Sequence, residues 1–131
     1  MSETYYDEEL AAKGRDIQAQ LWGEIMKQGG GGGVPGAKIA PEFFQLVQQF
    51  CFGMFWARED LPVKQRSLVT VSQLAALGKL EELKGHLRGA LSVGWTREEL
   101  IEVLMHTAVY AGVPAAVNAL NAAAEVLAPP E

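Results

Sequence analysis

Apolar side chains along this chain recur every three to four positions, not every second one. That is the spacing of amphipathic helices. The clearest stripe is Leu80, Leu83, Leu87, Ala90 and Leu91, stopped by Gly94. Just upstream, Leu68, Val69, Val71, Leu74, Ala75 and Leu77 form a second stripe in a helix that Asp60-Leu61-Pro62 opens and Gly78 ends. Thr96-Arg97-Glu98-Glu99 reads as a capping box, because Thr96 can accept from the backbone of Glu99 while Glu99 reaches back. The helix it starts runs to about Tyr110. Gly112-Val113-Pro114 then breaks and restarts the chain into an alanine-rich helix carrying Ala115, Ala116, Ala119, Ala122, Ala123 and Ala124.

The N-terminal part is read the same way. Residues from about Asp7 to Gln28 predict a helix with an acidic start, which suits the helix dipole. Five glycines, Gly29 to Gly33, predict a flexible connector. Gly31 to Lys38 only faintly suggests a phosphate loop, since no Gly-Lys-Ser/Thr follows. Pro41 opens a helix whose second half is apolar nearly all round: Phe50, Cys51, Phe52, Met54, Phe55 and Trp56. Such a surface has to be covered on more than one side, and a neighbouring subunit is the expected cover. No segment alternates with period two. The expectation is an all-α protein of six helices.

Composition narrows the function classes. Half of the residues are apolar (49%), so a packed core is expected. The formal net charge of −5 and the lack of a basic run argue against nucleic acid and anionic membranes as partners. The acidic stretch Glu3 to Glu9 is unlike a secretory leader, and no apolar run reaches the roughly 18 residues that span a bilayer. Cytoplasm is the expected location. The single cysteine, Cys51, agrees, and it allows no Cys-x-x-Cys redox pair.

Chemistry concentrates on two histidines, each with a glutamate four residues earlier: Glu82/His86 and Glu102/His106. Positions i and i+4 share a helix face, so each pair can orient an imidazole for acid–base work. At about 100° per residue, His86 falls on the shoulder of the apolar stripe, which suits a half-buried group. His106 falls on the polar side, as a surface or interface histidine would. The two pairs do not make a di-metal site, whose Glu-x-x-His units have spacing i, i+3. A Gly-x-Ser-x-Gly elbow is absent, so a serine triad has no support. Arg58, Arg66, Arg88 and Arg97 offer cations for an acidic substrate, but Arg88 lies about 200° around the helix from His86.

Several stretches, in order, resemble one family. They are Phe50-Cys51-Phe52-Gly53, Trp56-Ala57-Arg58, Arg66-Ser67, His86-Leu87-Arg88-Gly89-Ala90-Leu91, Gly94-Trp95-Thr96-Arg97-Glu98-Glu99-Leu100 and Tyr110-Ala111-Gly112-Val113-Pro114. Together they are similar to the carboxymuconolactone decarboxylase family. The resemblance implies the helical fold shared with alkylhydroperoxidase D, in residues 41–128, preceded by an N-terminal helix and glycine-rich connector in residues 1–40. It also implies a homo-oligomer, trimer or hexamer. The alkylhydroperoxidase D branch carries Cys-x-x-Cys-x-x-x-His; counting back from His86, those cysteine positions hold Lys79 and Glu82. Thiol peroxidase chemistry by that route is therefore excluded.

The chain resembles the decarboxylase branch instead, which keeps the histidine and a glutamate four residues before it. That branch implies cofactor-free, metal-free decarboxylation of 4-carboxymuconolactone or a similar lactone acid in aromatic catabolism. His86 would deliver the proton, oriented by Glu82. Arg58, and after it Arg66, would bind substrate carboxylate, with Trp56 and Tyr110 walling the pocket. One departure is Met54, where a glutamate is expected. With the glycine run, it favours a competing reading, a drifted substrate handled by isomerase- or hydratase-like chemistry; a third reading is a non-catalytic helical oligomer, against which the Glu82/His86 pair counts.

Overall fold

The computed structural model describes residues 6–27 and 34–129. The glycine run Gly29 to Gly33 and the acidic stretch before Tyr6 lie outside the described residues. The chain divides into two compact units, Met1–Val63 and Lys64–Glu131. Among the described residues there are six α-helices and no strand: α1 (Glu8–Lys27), α2 (Pro41–Val47), α3 (Val63–Leu77), α4 (Leu80–Ser92), α5 (Arg97–Ala111) and α6 (Val113–Leu127). None of these helices is long and apolar enough to cross a membrane.

In the first unit, α2 passes without a break into a π-helical segment, Gln48–Trp56. The wider turn ends with the amide of Ala57 donating to the carbonyl of Phe52, five residues back. A short 3-10 turn, Pro35–Lys38, precedes α2. Neither feature follows from hydrophobic spacing. The π segment packs on α1 through a backbone-to-backbone crossing. A Cβ at Gly14 would stand 2.3 Å from the Gln48 carbonyl oxygen, and one at Gly53 would stand 2.2 Å from that of Leu10. Only glycine permits that approach at either point. Side-chain amides pin the register: Gln49 Oε1 accepts from the Asp7 amide at 2.8 Å, and Gln48 Nε2 donates to Gln18 Oε1 at 2.7 Å. Ala11, Ile17, Leu21 and Phe52 fill the interface.

The second unit is a four-helix core. Val71, Ala75, Leu83, Leu87, Ala90, Leu100, Leu104, Ala119, Ala123 and Leu127 come from all four helices and are almost fully buried. The alanines of α6 let α4 and α5 pack close to its backbone. The α5 capping box forms in full: Thr96 Oγ1 accepts from the Glu99 amide at 3.1 Å, and Glu99 Oε1 accepts from the Thr96 amide at 3.0 Å. At the other end, Gly112 alone joins α5 to α6, at φ 100°, a conformation that side chains resist. Trp95 is held from two directions: Nε1 donates to the Lys64 carbonyl at 2.6 Å, and the Lys64 ammonium sits 4.7 Å from its ring centroid. Arg97 Nε donates to the carbonyl of Leu127 at 2.5 Å, serving one of the acceptors that the end of α6 leaves over.

Candidate functional site

His86 lies on α4, between the buried residues Leu83, Leu87 and Ala90 on one side and the exposed Glu82 and Arg88 on the other. It is largely buried. Burial pushes its pKa from 6.5 down to about 4, against the upward pull of the Glu82 carboxylate. At neutral pH the side chain is therefore an uncharged imidazole, able to donate one N–H or to take up a proton. Glu82 itself is exposed and stands beside Glu81 in the first turn of α4, where negative charge also favours the helix dipole.

Trp56 and Arg58 come together in the first unit. Trp56 ends the π segment and stacks at 5.9 Å on Phe52, which in turn meets Trp22 edge-on at 5.7 Å. Both Trp56 and Arg58 line a cavity of about 580 Å³ whose opposite wall is α1, through Lys13, Asp16 and Gln20. Arg58 Nη2 lies 3.5 Å from Asp60 Oδ2, with the two side chains 60% and 91% exposed. An ion pair that open is weak. Met54 is 46% exposed on the π segment.

Tyr110 belongs to a different place. It lines a groove of about 570 Å³ between α3 and α5, with Val69, Val103, Glu102 and His106. Its ring lies 5.8 Å from that of His106, and it is 87% exposed. His106 is exposed as well. Arg66, on α3, is half-buried, and its carbonyl accepts from Thr70 Oγ1 at 2.8 Å. Neither cavity is lined by His86, Glu82 or Arg66. So Trp56 and Arg58 share a cavity, Tyr110 shares one with the second Glu/His pair, and His86 and Glu82 share α4.

Two features went unread in the sequence. Lys13, Asp16 and Gln20 are spaced i, i+3, i+7, a polar stripe on one face of α1, yet nothing in the chain said what that face meets. Glu102 and His106 fall on the polar side of their helix, as surface or interface residues would, and the apolar groove beside them depends on which helices pack together. The Cys51 thiol is half-buried, and burial raises its pKa, which lowers its reactivity. Among the described residues no three His, Cys, Asp or Glu side chains are grouped so as to hold a metal ion.

Comparison with known proteins covers most of this region. Residues 41–125 match the sequence profile of the carboxymuconolactone decarboxylase family. The chain is 42% identical over 85 residues to a 4-carboxymuconolactone decarboxylase of Acinetobacter baylyi, across 65% of this chain and 63% of that one. It is 37% identical over 76 residues to a nitrosuccinic acid decarboxylase of Metarhizium robertsii, across 58% and 53%. An uncharacterised 15.0 kDa protein of Paracoccus denitrificans is 32% identical over 93 residues, across 70% and 69%. The matched part thus spans less than two thirds of the length of either decarboxylase.

Proposed function

This chain belongs to the carboxymuconolactone decarboxylase family, and from that premise we propose that it decarboxylates a small acid bearing more than one carboxyl group. The observation that carries the reading is a shared reaction: two relatives, at 42% and 37% identity, are named for different substrates but the same loss of carbon dioxide. The first substrate to try is 4-carboxymuconolactone.

The chemistry asks little of the protein. The bond from ring carbon to carboxylate breaks, carbon dioxide leaves, and the electron pair passes through the double bond to the lactone carbonyl. The resulting dienolate takes a proton at carbon. Since the substrate is its own electron sink, neither a metal nor an organic cofactor is required. The protein has to hold carboxylate, stabilise the oxyanion and deliver the proton.

We assign carboxylate binding to Arg58, whose planar fork suits it, and secondarily to Arg66. Trp56 is assigned as a wall of the cavity it shares with Arg58; Tyr110 lines the separate groove of α3 and α5 and is assigned no role in the reaction. His86 delivers the proton, and its burial defines how. With a pKa about 4, only roughly one imidazole in a thousand is protonated at pH 7 in the empty protein. A bound anion raises that pKa, so the proton is acquired as substrate charge arrives and is given up to carbon as the dienolate forms. Glu82 favours the same protonated form through its charge.

The test is carbon dioxide release from 4-carboxymuconolactone, with nitrosuccinate as the second substrate. His86→Ala is expected to lower kcat by about 10²- to 10⁴-fold, the range for a lost acid–base group. Near-normal turnover by His86→Ala would remove His86 from the mechanism. No carbon dioxide from either substrate, with a folded protein, would overturn these two substrate assignments.

A further inference from the structure

The family match begins at residue 41, and α1 lies wholly before it. Yet α1 forms one wall of the cavity that Trp56 and Arg58 line. We propose that Lys13 is a specificity-determining residue: its ammonium, with the Arg58 guanidinium, binds the carboxylate that the substrate keeps. This rests on the reading that Arg58 binds a substrate carboxylate.

Three observations carry the proposal. The first is register. The crossings of Gly14 on Gln48 and of Gly53 on Leu10 hold α1 against the π segment at backbone contact. Lys13, next to Gly14, therefore has a fixed helical phase relative to Trp56 and Arg58. The second is spacing. Lys13, Asp16, Ile17 and Gln20 fall at i, i+3, i+4 and i+7, one face of α1, and all four line the cavity.

The third is charge. Lys13 and Arg58 are the cations of this cavity, and Asp16 and Glu59 its anions. The ionisable lining is thus balanced and does not draw in any anion at random. It sorts ligands by where the carboxylate sits. The Lys13–Glu9 pair, at 3.4 Å with side chains 53% and 80% exposed, is loose enough to give way to a ligand. A small acid with two carboxylates would thus spend one on Lys13 and Arg58 and leave the other to react.

The experiment titrates the full-length protein with succinate, and with butyrate as the one-carboxylate counterpart, following the Trp56 indole N–H resonance. A Trp56→Phe variant assigns that resonance. Wild type is expected to respond to both acids, because each offers one carboxylate to Lys13 and Arg58. Lys13→Gln should weaken succinate by up to about 5-fold, as loss of one open charge contact does. Lys13→Arg should retain it, and Asp16→Asn, which removes an opposing charge, should tighten it. A Trp56 signal indifferent to succinate, or a Lys13→Gln protein that binds as wild type does, overturns the proposal. Carbon dioxide release measured on the same variants separates the two readings. Turnover independent of Lys13 defeats this inference alone. The expected binding pattern without turnover defeats the decarboxylase reading and leaves this one standing.

Discussion

His86 should make the protein acid-sensitive in a defined window. Unfolded, the side chain titrates near 6.5; folded, near 4. Above both values it is neutral in both states and contributes no pH dependence, so stability there is full. As pH falls below about 6.5 the unfolded chain takes up a proton that the folded one refuses, and stability drops. Below about 4 both states are protonated and the loss stops growing. A depression of this size corresponds to about 3 kcal/mol in all, of which about 2 kcal/mol falls between pH 7 and pH 5. The assay is urea unfolding of wild type and His86→Gln at those two pH values and fixed protein concentration. Carboxylates such as Glu8 and Glu99, whose pKa values are lowered by hydrogen bonds, act in both proteins and cancel in the comparison. Wild type should lose about 2 kcal/mol more than the variant. Equal losses, or an imidazole titrating near 6.5 by NMR in the folded protein, would refute the reasoning. It would also remove the basis for a proton acquired only on substrate binding. If the decarboxylase reading holds, the His86 inflection in kcat/KM, which reports the free enzyme, should lie near 4.

Gly53→Ala should destabilise the first unit by about 1–3 kcal/mol, because its Cβ meets a backbone oxygen that no rotamer change can move. Gly14→Ala poses the sharper case: helix propensity favours alanine by about 1 kcal/mol, but the 2.3 Å approach to Gln48 should outweigh it. Gly85→Ala in α4, with open space at its Cβ, should be stabilising by up to about 1 kcal/mol, and chemical denaturation ranks all three. Thr96→Ala removes an acceptor of the α5 capping box and should cost about 0.5–2 kcal/mol in the same assay. Finally, the apolar side chains left open at Phe50 (57%) and Val109 (65%) call for a covering surface. We expect a homo-oligomer, trimer or hexamer, and light scattering at micromolar concentration giving the mass of one chain would refute it.

How far the sequence could be read depended on whether a feature was local. Helix ends were local. Gly78, Gly94 and Gly112 all sit at positive φ where the periodicity stops, and Thr96 with Glu99 carries its whole cap in four residues. The burial of Leu83 and Leu87, and the exposure of His106, follow from angle along a single helix. The π segment was not legible, because its residues are apolar on every side and so show no period to read. What it does depends on α1, more than thirty residues upstream. The meeting of Gly14 with Gln48 and of Gly53 with Leu10 leaves no trace in either segment alone; a helix-interior glycine reads as a weak point until something is found pressed against it. The same holds for Lys13. Lys13, Asp16 and Gln20 make a polar stripe that names no partner, and it is the crossing that sets it beside Trp56 and Arg58. Where chemistry is built between elements distant in sequence, the informative residues are the small ones that set the distance of approach, and they are the ones whose substitution should move the charged groups beside them.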